Sequence, residues 1–241
     1  MARPLDALTK ARPHAVFMDC DGVIFDTNQL KCDAFRYALD RYPRDAVEAL
    51  VAWHKRTGGV SRYLKIEHFF RELCPVPDVD AASTRALLRF GEFCERGYET
   101  MTPRPEALAF AALAGGPDRV WVVSGSDEEE LRKVFARQNI ADRFADVHGS
   151  PVGKRAHLTR ILAAQHVAPA EALFVGDGGG DWEAAEALGV PFVFLAEMSE
   201  WTDGAATVAA SDDATAAIAE TWTALLASVR RNWGFPSPTR A

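Results

Sequence analysis

The chain has 241 residues, of which 48% are hydrophobic and 25% charged, and its net charge is −7. A core of ordinary size is possible; the acidic balance, with no basic stripe, argues against a nucleic-acid partner, and no apolar run approaches the ~20 residues of a membrane span. Met1–His14 is polar and lacks the apolar stretch of a signal peptide, and Cys20, Cys32, Cys74 and Cys94 lack Cys-x-x-Cys spacing, which reads as reduced thiols in a cytoplasmic protein.

In chain order, the first element is a short apolar run, Ala15–Met18, suited to a buried parallel strand. It leads directly into Asp19-Cys20-Asp21-Gly22. Strand C-termini are where open α/β sheets bind ligands. Two carboxylates there can hold a hard cation, and one can attack an electrophile while the other handles protons. Asp-x-Asp-Gly also opens calcium loops, but Leu30 and Lys31 do not serve that pattern. Alternation turns Cys20 away from the two aspartates, as a small core residue.

From about residue 27 to 102 apolar residues recur at helical spacing: Leu30, Ala34, Tyr37 and Ala38; Ile66, Phe69, Phe70 and Leu73; Leu87, Leu88 and Phe93. Beyond that, strands are expected at residues 119–123, 146–148, 172–175 and 192–195. Helices are expected at about 127–138, 154–166, 181–188 and 214–230. This alternation predicts an α/β fold, a doubly wound parallel sheet with helices on both faces. A helical insert of about 75 residues after the first strand is too long for a plain loop. It leaves the core beside Asp19 and Asp21, as a lid would. The expected division is a core of residues 1–26 and 102–241 with a cap of residues 27–101, hinged near 26–27 and 101–105.

Further polar groups fall at strand ends. In Val122-Val123-Ser124-Gly125-Ser126, Ser124 can donate to an anion with help from backbone N–H groups. A serine pair capping the next helix, with Ser126 as N-cap, is the alternative. Lys154 opens a helix against the macrodipole, which suggests another duty, with Arg155 competing for it. Val175-Gly176-Asp177-Gly178-Gly179-Gly180-Asp181 ends a strand in a glycine loop. It is no dinucleotide fingerprint, because the last glycine position falls on Asp181. Its two acids suit Mg²⁺, and a flexible turn capped by Asp181 is the alternative.

Together and in this order, these motifs resemble the haloacid dehalogenase superfamily, specifically phosphatase-type members with a helical cap. The resemblance spans residues 15 to about 195. It implies a Rossmann-like core, a cap inserted after the first strand, and a small phosphorylated metabolite as substrate. It makes Asp19 the nucleophile and Asp21 the acid and base. Ser124, Gly125 and Lys154 would hold the phosphoryl group. Asp19, the backbone carbonyl of Asp21 and Asp177 would hold Mg²⁺, with Asp181 as ligand or neighbour. Protonating Asp21 at neutral pH needs an upward shift from ~3.9, and burial under a closed cap is expected to supply it. Halide-displacing members lack a counterpart of Asp21, which argues against carbon–halogen cleavage.

Gly58-Gly59-Val60-Ser61-Arg62 resembles a cap loop of β-phosphoglucomutase-like members, in which an arginine reaches a distal phosphate or sugar. Arg62 is the candidate here, with Lys55 or His54 assisting; a helix start capped by Ser61, with Arg62 in solvent, is the alternative. Gly-Lys-Arg-Ala-His at residues 153–157 and the glycine loop at 176–181 depart from mutase patterns and favour a phosphatase. The expected activity is thus Mg²⁺-dependent hydrolysis of a small, sugar-type phosphomonoester. A phosphomutase and a non-catalytic phospho-ligand-binding protein are the rivals. Residues 230–241 read as a flexible or partner-facing tail.

Overall fold

A computed structural model describes residues 2–211 and 215–236 of the chain. After a short helix α1 (Leu5–Leu8), the first strand β1 is Ala15–Met18, as its sequence predicts. Helices α2 (Asn28–Ala38), α3 (Arg44–Arg56), α4 (Arg62–His68) and α5 (Val79–Tyr98) follow, and a π-helical turn at Phe69–Leu73 extends α4. Then come α6 (Pro105–Ala114), β2 (Val120–Asp127), α7 (Glu128–Arg137), β3 (Asp146–Ser150), α8 (Lys154–Gln165), β4 (Ala172–Gly176) and α9 (Gly179–Glu186). The chain finishes with β5 (Phe192–Leu195), α10 (Gly204–Ala210), β6 (Ala216–Ala219) and α11 (Trp222–Asn232).

Six strands form one parallel sheet in the order β3-β2-β1-β4-β5-β6. The chain therefore winds outward from β1 in both directions, and the crevice between β1 and β4 is the switch point. Every residue of β1, β4 and β5 is buried, as a parallel sheet covered on both faces requires. Along β1, Val16 and Met18 face one apolar layer, and Ala15 and Phe17 face the other. The α2–α5 segment covers the C-terminal edge of the strands as a helical cap.

Three expectations change. Residues 214–230 are not one helix: β6 occupies Ala216–Ala219, α11 starts at Trp222, and position 214 lies outside the described residues. The alanine-rich run carries no helical signal distinct from a buried edge strand. In α5 the buried stripe is Ala82, Ala86, Phe90, Cys94 and Tyr98, whereas Leu88 is 65% exposed. The start of the expected tail is anchored: α11 runs to Asn232, and Trp233 donates to the Thr9 carbonyl at 2.9 Å. Residues 237–241 of that tail lie outside the described residues.

Candidate active site

Asp19 follows β1 directly, and its N–H donates to the Val175 carbonyl of β4 at 3.0 Å. Its carboxylate is buried, accepts from the Cys20 N–H at 2.7 Å, and lies 2.9 Å from Lys154 Nζ. Burial and the neighbouring charge of Asp181 push its pKa up to about 7, against the pull of Lys154. Cys20 is buried in the core, as expected. Gly22 turns the chain at φ +75°, and a Cβ there would lie 2.0 Å from Asp177 Oδ2, so both the turn and the space demand glycine.

Asp21 sits in a cage of donors. Its Oδ1 accepts from the Thr27 hydroxyl at 2.5 Å and the Tyr98 hydroxyl at 2.6 Å. Its Oδ2 accepts from Ser126 Oγ at 2.5 Å, and Lys31 Nζ lies 3.5 Å from Oδ1. Burial pushes this carboxyl up, but Lys31 and the three hydroxyls outweigh it and hold the pKa below the ordinary value. The expectation that burial keeps Asp21 protonated is thereby reversed. Nor is Ser126 the N-cap of α7. That position belongs to Asp127, which accepts from the Glu130 N–H at 3.0 Å.

Ser124 is buried at the end of the apolar part of β2, and its Oγ accepts from the Ser126 N–H at 3.1 Å, leaving its proton to donate. The Gly125 carbonyl accepts from Ser150 Oγ at 2.7 Å. Between the two cationic candidates, burial decides: Lys154 points inward to Asp19 and Asp181, and Arg155 is exposed.

Asp177 follows β4, and its Oδ2 accepts from Asn28 Nδ2 at 2.7 Å. Burial, with Asp19 next, pushes its pKa well up. Asp181 stands in the first turn of α9, where one oxygen accepts from the Gly178 N–H at 3.0 Å and the other from Lys154. Carboxylate oxygens of Asp19, Asp177 and Asp181 lie within 4.8 Å of one another. This donor set is hard, buried and short of positive charge, which fits Mg²⁺. Asp19 and Asp177 are the carboxylates that could hold it. Asp181 is spent on Lys154 and the loop, and both side-chain oxygens of Asp21 are engaged, which leaves its backbone carbonyl.

The cap closes over these groups and leaves a cavity of about 50 Å³. The cap candidates His54, Lys55 and Arg62 all line it. Ser61 does cap α4, accepting from the Tyr63 N–H, but Arg62 is buried, not in solvent. Its guanidinium grips Glu130 through two hydrogen bonds of 2.7 Å, with Asp127 at 3.7 Å. Thr27, Asn28, Lys31, Tyr98 and Glu200 are site residues that sequence reasoning missed. Only the short spacing of Thr27 and Asn28 from Asp21 carried a signal.

A family model for haloacid dehalogenase-like hydrolases matches residues 13–189. Among curated proteins none matches the chain. A hydrolase from Pseudomonas syringae has a similar fold, with a TM-score of 0.71 at 18% identity, covering 90% of this chain and 98% of that one. A predicted phosphoglycolate phosphatase from Haemophilus somnus 129pt gives 0.71 at 15% identity over the same shares. CbbY from Rhodobacter sphaeroides, solved with phosphate, gives 0.64 at 18% identity, over 90% of this chain and 99% of that one. The matched segment covers most of the chain and carries every catalytic candidate from Asp19 to Asp181, and the protein belongs to the haloacid dehalogenase-like hydrolases.

Proposed function

We propose that the protein is a Mg²⁺-dependent phosphomonoesterase that hydrolyses a small, sugar-type phosphate through an aspartyl-phosphate. One observation carries this reading: a buried carboxylate, Asp19, stands 2.9 Å from a buried lysine, with a second acid, Asp21, two residues on and held by hydroxyls. A pure binding protein needs no such nucleophile and acid together. The similar folds described as phosphoglycolate phosphatase and as CbbY bound to phosphate support the same chemistry.

The negative charge of the bound phosphate ester favours protonation of Asp21, which its donor cage holds ionised in the free site. Asp19 Oδ attacks phosphorus as the ester P–O bond breaks, and the leaving oxygen takes that proton from Asp21. Asp21, now ionised, takes a proton from water, and that water attacks the aspartyl-phosphate to release phosphate and restore Asp19. Ser124 Oγ and Lys154 hold the phosphoryl oxygens. When bound, Mg²⁺ at Asp19 and Asp177 supplies positive charge that lets a dianion approach these carboxylates. The donor cage favours ionised Asp21, the form the second half-reaction needs.

The test is phosphate release from a panel of small phosphomonoesters with Mg²⁺ or with a chelator. We expect metal-dependent turnover that falls by more than about 10³-fold in Asp19→Asn. Phosphoryl exchange between sugar positions on addition of a sugar bisphosphate, without phosphate release, would mark a mutase instead.

A further inference from the structure

The pairing of β2 with β3 breaks beside the cavity. Val123 pairs with His148 and Asp127 with Ser150, so Ser124, Gly125 and Ser126 together stand opposite Gly149. Such a bulge re-aims side chains and leaves backbone groups without ladder partners. One peptide here carries both consequences. Its N–H, on Ser126, donates to Ser124 Oγ at 3.1 Å, and its carbonyl, on Gly125, accepts from Ser150 Oγ at 2.7 Å.

Ser124 lines the cavity, and its hydroxyl has a single proton. Because its oxygen accepts from the Ser126 N–H, that proton is free for a phosphoryl oxygen. Rotation of the Gly125–Ser126 peptide would withdraw the N–H and let the hydroxyl turn. Gly125 makes such rotation easy, since glycine has the least restricted backbone. No stiffer residue fits there, because a Cβ would lie 2.4 Å from the Gly59 oxygen of the cap. Closure of the cap thus imposes a torsionally free residue where the site needs a fixed one.

Ser150 supplies the restraint. It is buried, and the Gly149 before it is pinned at both ends of its backbone. The Gly149 N–H donates to Glu128 Oε2 at 3.1 Å, and His157 Nε2 donates to the Gly149 carbonyl at 3.0 Å. A Cβ on Gly149 would lie 2.4 Å from the Ser126 oxygen, so this part of β3 packs directly on the bulge.

We propose that Ser150 is a positioning residue for phosphoryl transfer: by holding the Gly125–Ser126 peptide in one orientation, it keeps the Ser124 proton available to the phosphoryl group. This rests on the phosphomonoesterase reading and adds to its anion site a residue from β3. The links run in series through a buried setting, where hydrogen bonds reinforce one another.

The test is a double-mutant cycle between positions 150 and 124, with each variant first shown to be folded by circular dichroism. Two quantities are read with Mg²⁺ present: kcat on the best phosphomonoester, and affinity for inorganic phosphate by calorimetry. We expect Ser150→Ala to lower kcat about tenfold and to weaken phosphate binding about fivefold, the scale of one hydrogen bond. In a Ser124→Ala background the same change costs less than about twofold in either quantity, because the group it positions is gone. Ser150→Thr, which keeps the hydroxyl, stays within about threefold of wild type. Unchanged kcat and phosphate affinity in Ser150→Ala, or equal losses with and without Ser124, overturns the role. If no ester releases phosphate, the phosphatase reading falls, while the phosphate-binding cycle still decides the role of Ser150.

Discussion

Lys65 is fully buried inside the cap, 2.7 Å from His54 Nδ1 and donating to the Thr57 carbonyl at 2.9 Å. Burial lowers its pKa to about 7. The unfolded chain, with lysine near ~10.4, therefore binds more protons than the native state between roughly pH 7 and 10. Stability supplied elsewhere is eroded below that window and recovers as pH rises through it. Urea midpoints of wild type should rise from pH 7 to 10 relative to those of Lys65→Met, and parallel curves would refute this. A second single-residue effect concerns Tyr98, whose hydroxyl holds Asp21 from α5. In Tyr98→Phe the ring contact with Phe25, at 5.8 Å, survives. We expect kcat to fall about tenfold with KM little changed, the scale of one hydrogen bond to a charged group. Asp19, Asp21 and Lys154 were legible because the first follows a short apolar strand and the other two sit beside a motif glycine. Lys31 and Tyr98 were not, since a lone lysine or tyrosine on a helix is indistinguishable from any other until the cap is folded onto the core.

At the scale of elements, α4 and α7 form a clasp. Arg62 grips Glu130, Tyr63 donates to Asp127 at 2.6 Å, and all four lie in the first turns of their helices or at the cap position. A mid-helix glycine in α5 makes room for it, since a Cβ on Gly91 would lie 2.7 Å from Glu130 Oε1. Glycine there costs the helix roughly 1 kcal/mol against alanine. The clasp bears on the end of β2 that carries Ser124, because α7 begins four residues after it. Glu130→Gln should loosen the cap, seen as faster amide exchange in α4 and α5. The accompanying stability loss should be about 1–3 kcal/mol in urea denaturation; unchanged exchange would show that the clasp does not hold the cap. The sequence left Arg62 between a substrate contact and a solvent-facing residue behind the Ser61 cap, and the structure buries it against Glu130. Its partner is 68 positions away, beyond the reach of any local pattern. Strand bounds such as Ala15–Met18 and Phe192–Leu195 were recovered because buried parallel strands read as short apolar runs. The alanines of β6 have no such contrast with the helix that follows.

For the whole molecule, the Gly58-Gly59 loop of the cap meets the core through backbone. The Gly180 N–H donates to the Gly58 carbonyl at 2.8 Å. A Cβ at Gly125 would lie 2.4 Å from the Gly59 oxygen, and one at Gly178 would lie 2.7 Å from that of Gly58. Gly125→Ala should therefore keep the fold of the sheet but hold the cap ajar, lowering kcat/KM by about 10²-fold, the scale of a misplacement near 1 Å. Retention of full activity would mean that closure tolerates the wedge. The parallel, doubly wound character of the sheet followed from the alternation of strands and helices, and the observed strand order brings Asp19, Ser124 and Asp177 to adjacent strand ends. What alternation cannot convey is how closely the Gly58-Gly59 loop approaches the glycines of the core.

That glycine seam divides the protein for anyone wishing to change its selectivity. Residues 58, 59, 125, 178 and 180 form a surface without side chains, so diversity introduced there is lost to obstruction before any new ligand is sampled. The wall that carries side chains is the helical one, where Phe35, His54 and Lys55 face the cavity from α2 and α3. Changes of selectivity belong there, with Lys65 and Glu200, the partners of His54 and Lys55, varied alongside them.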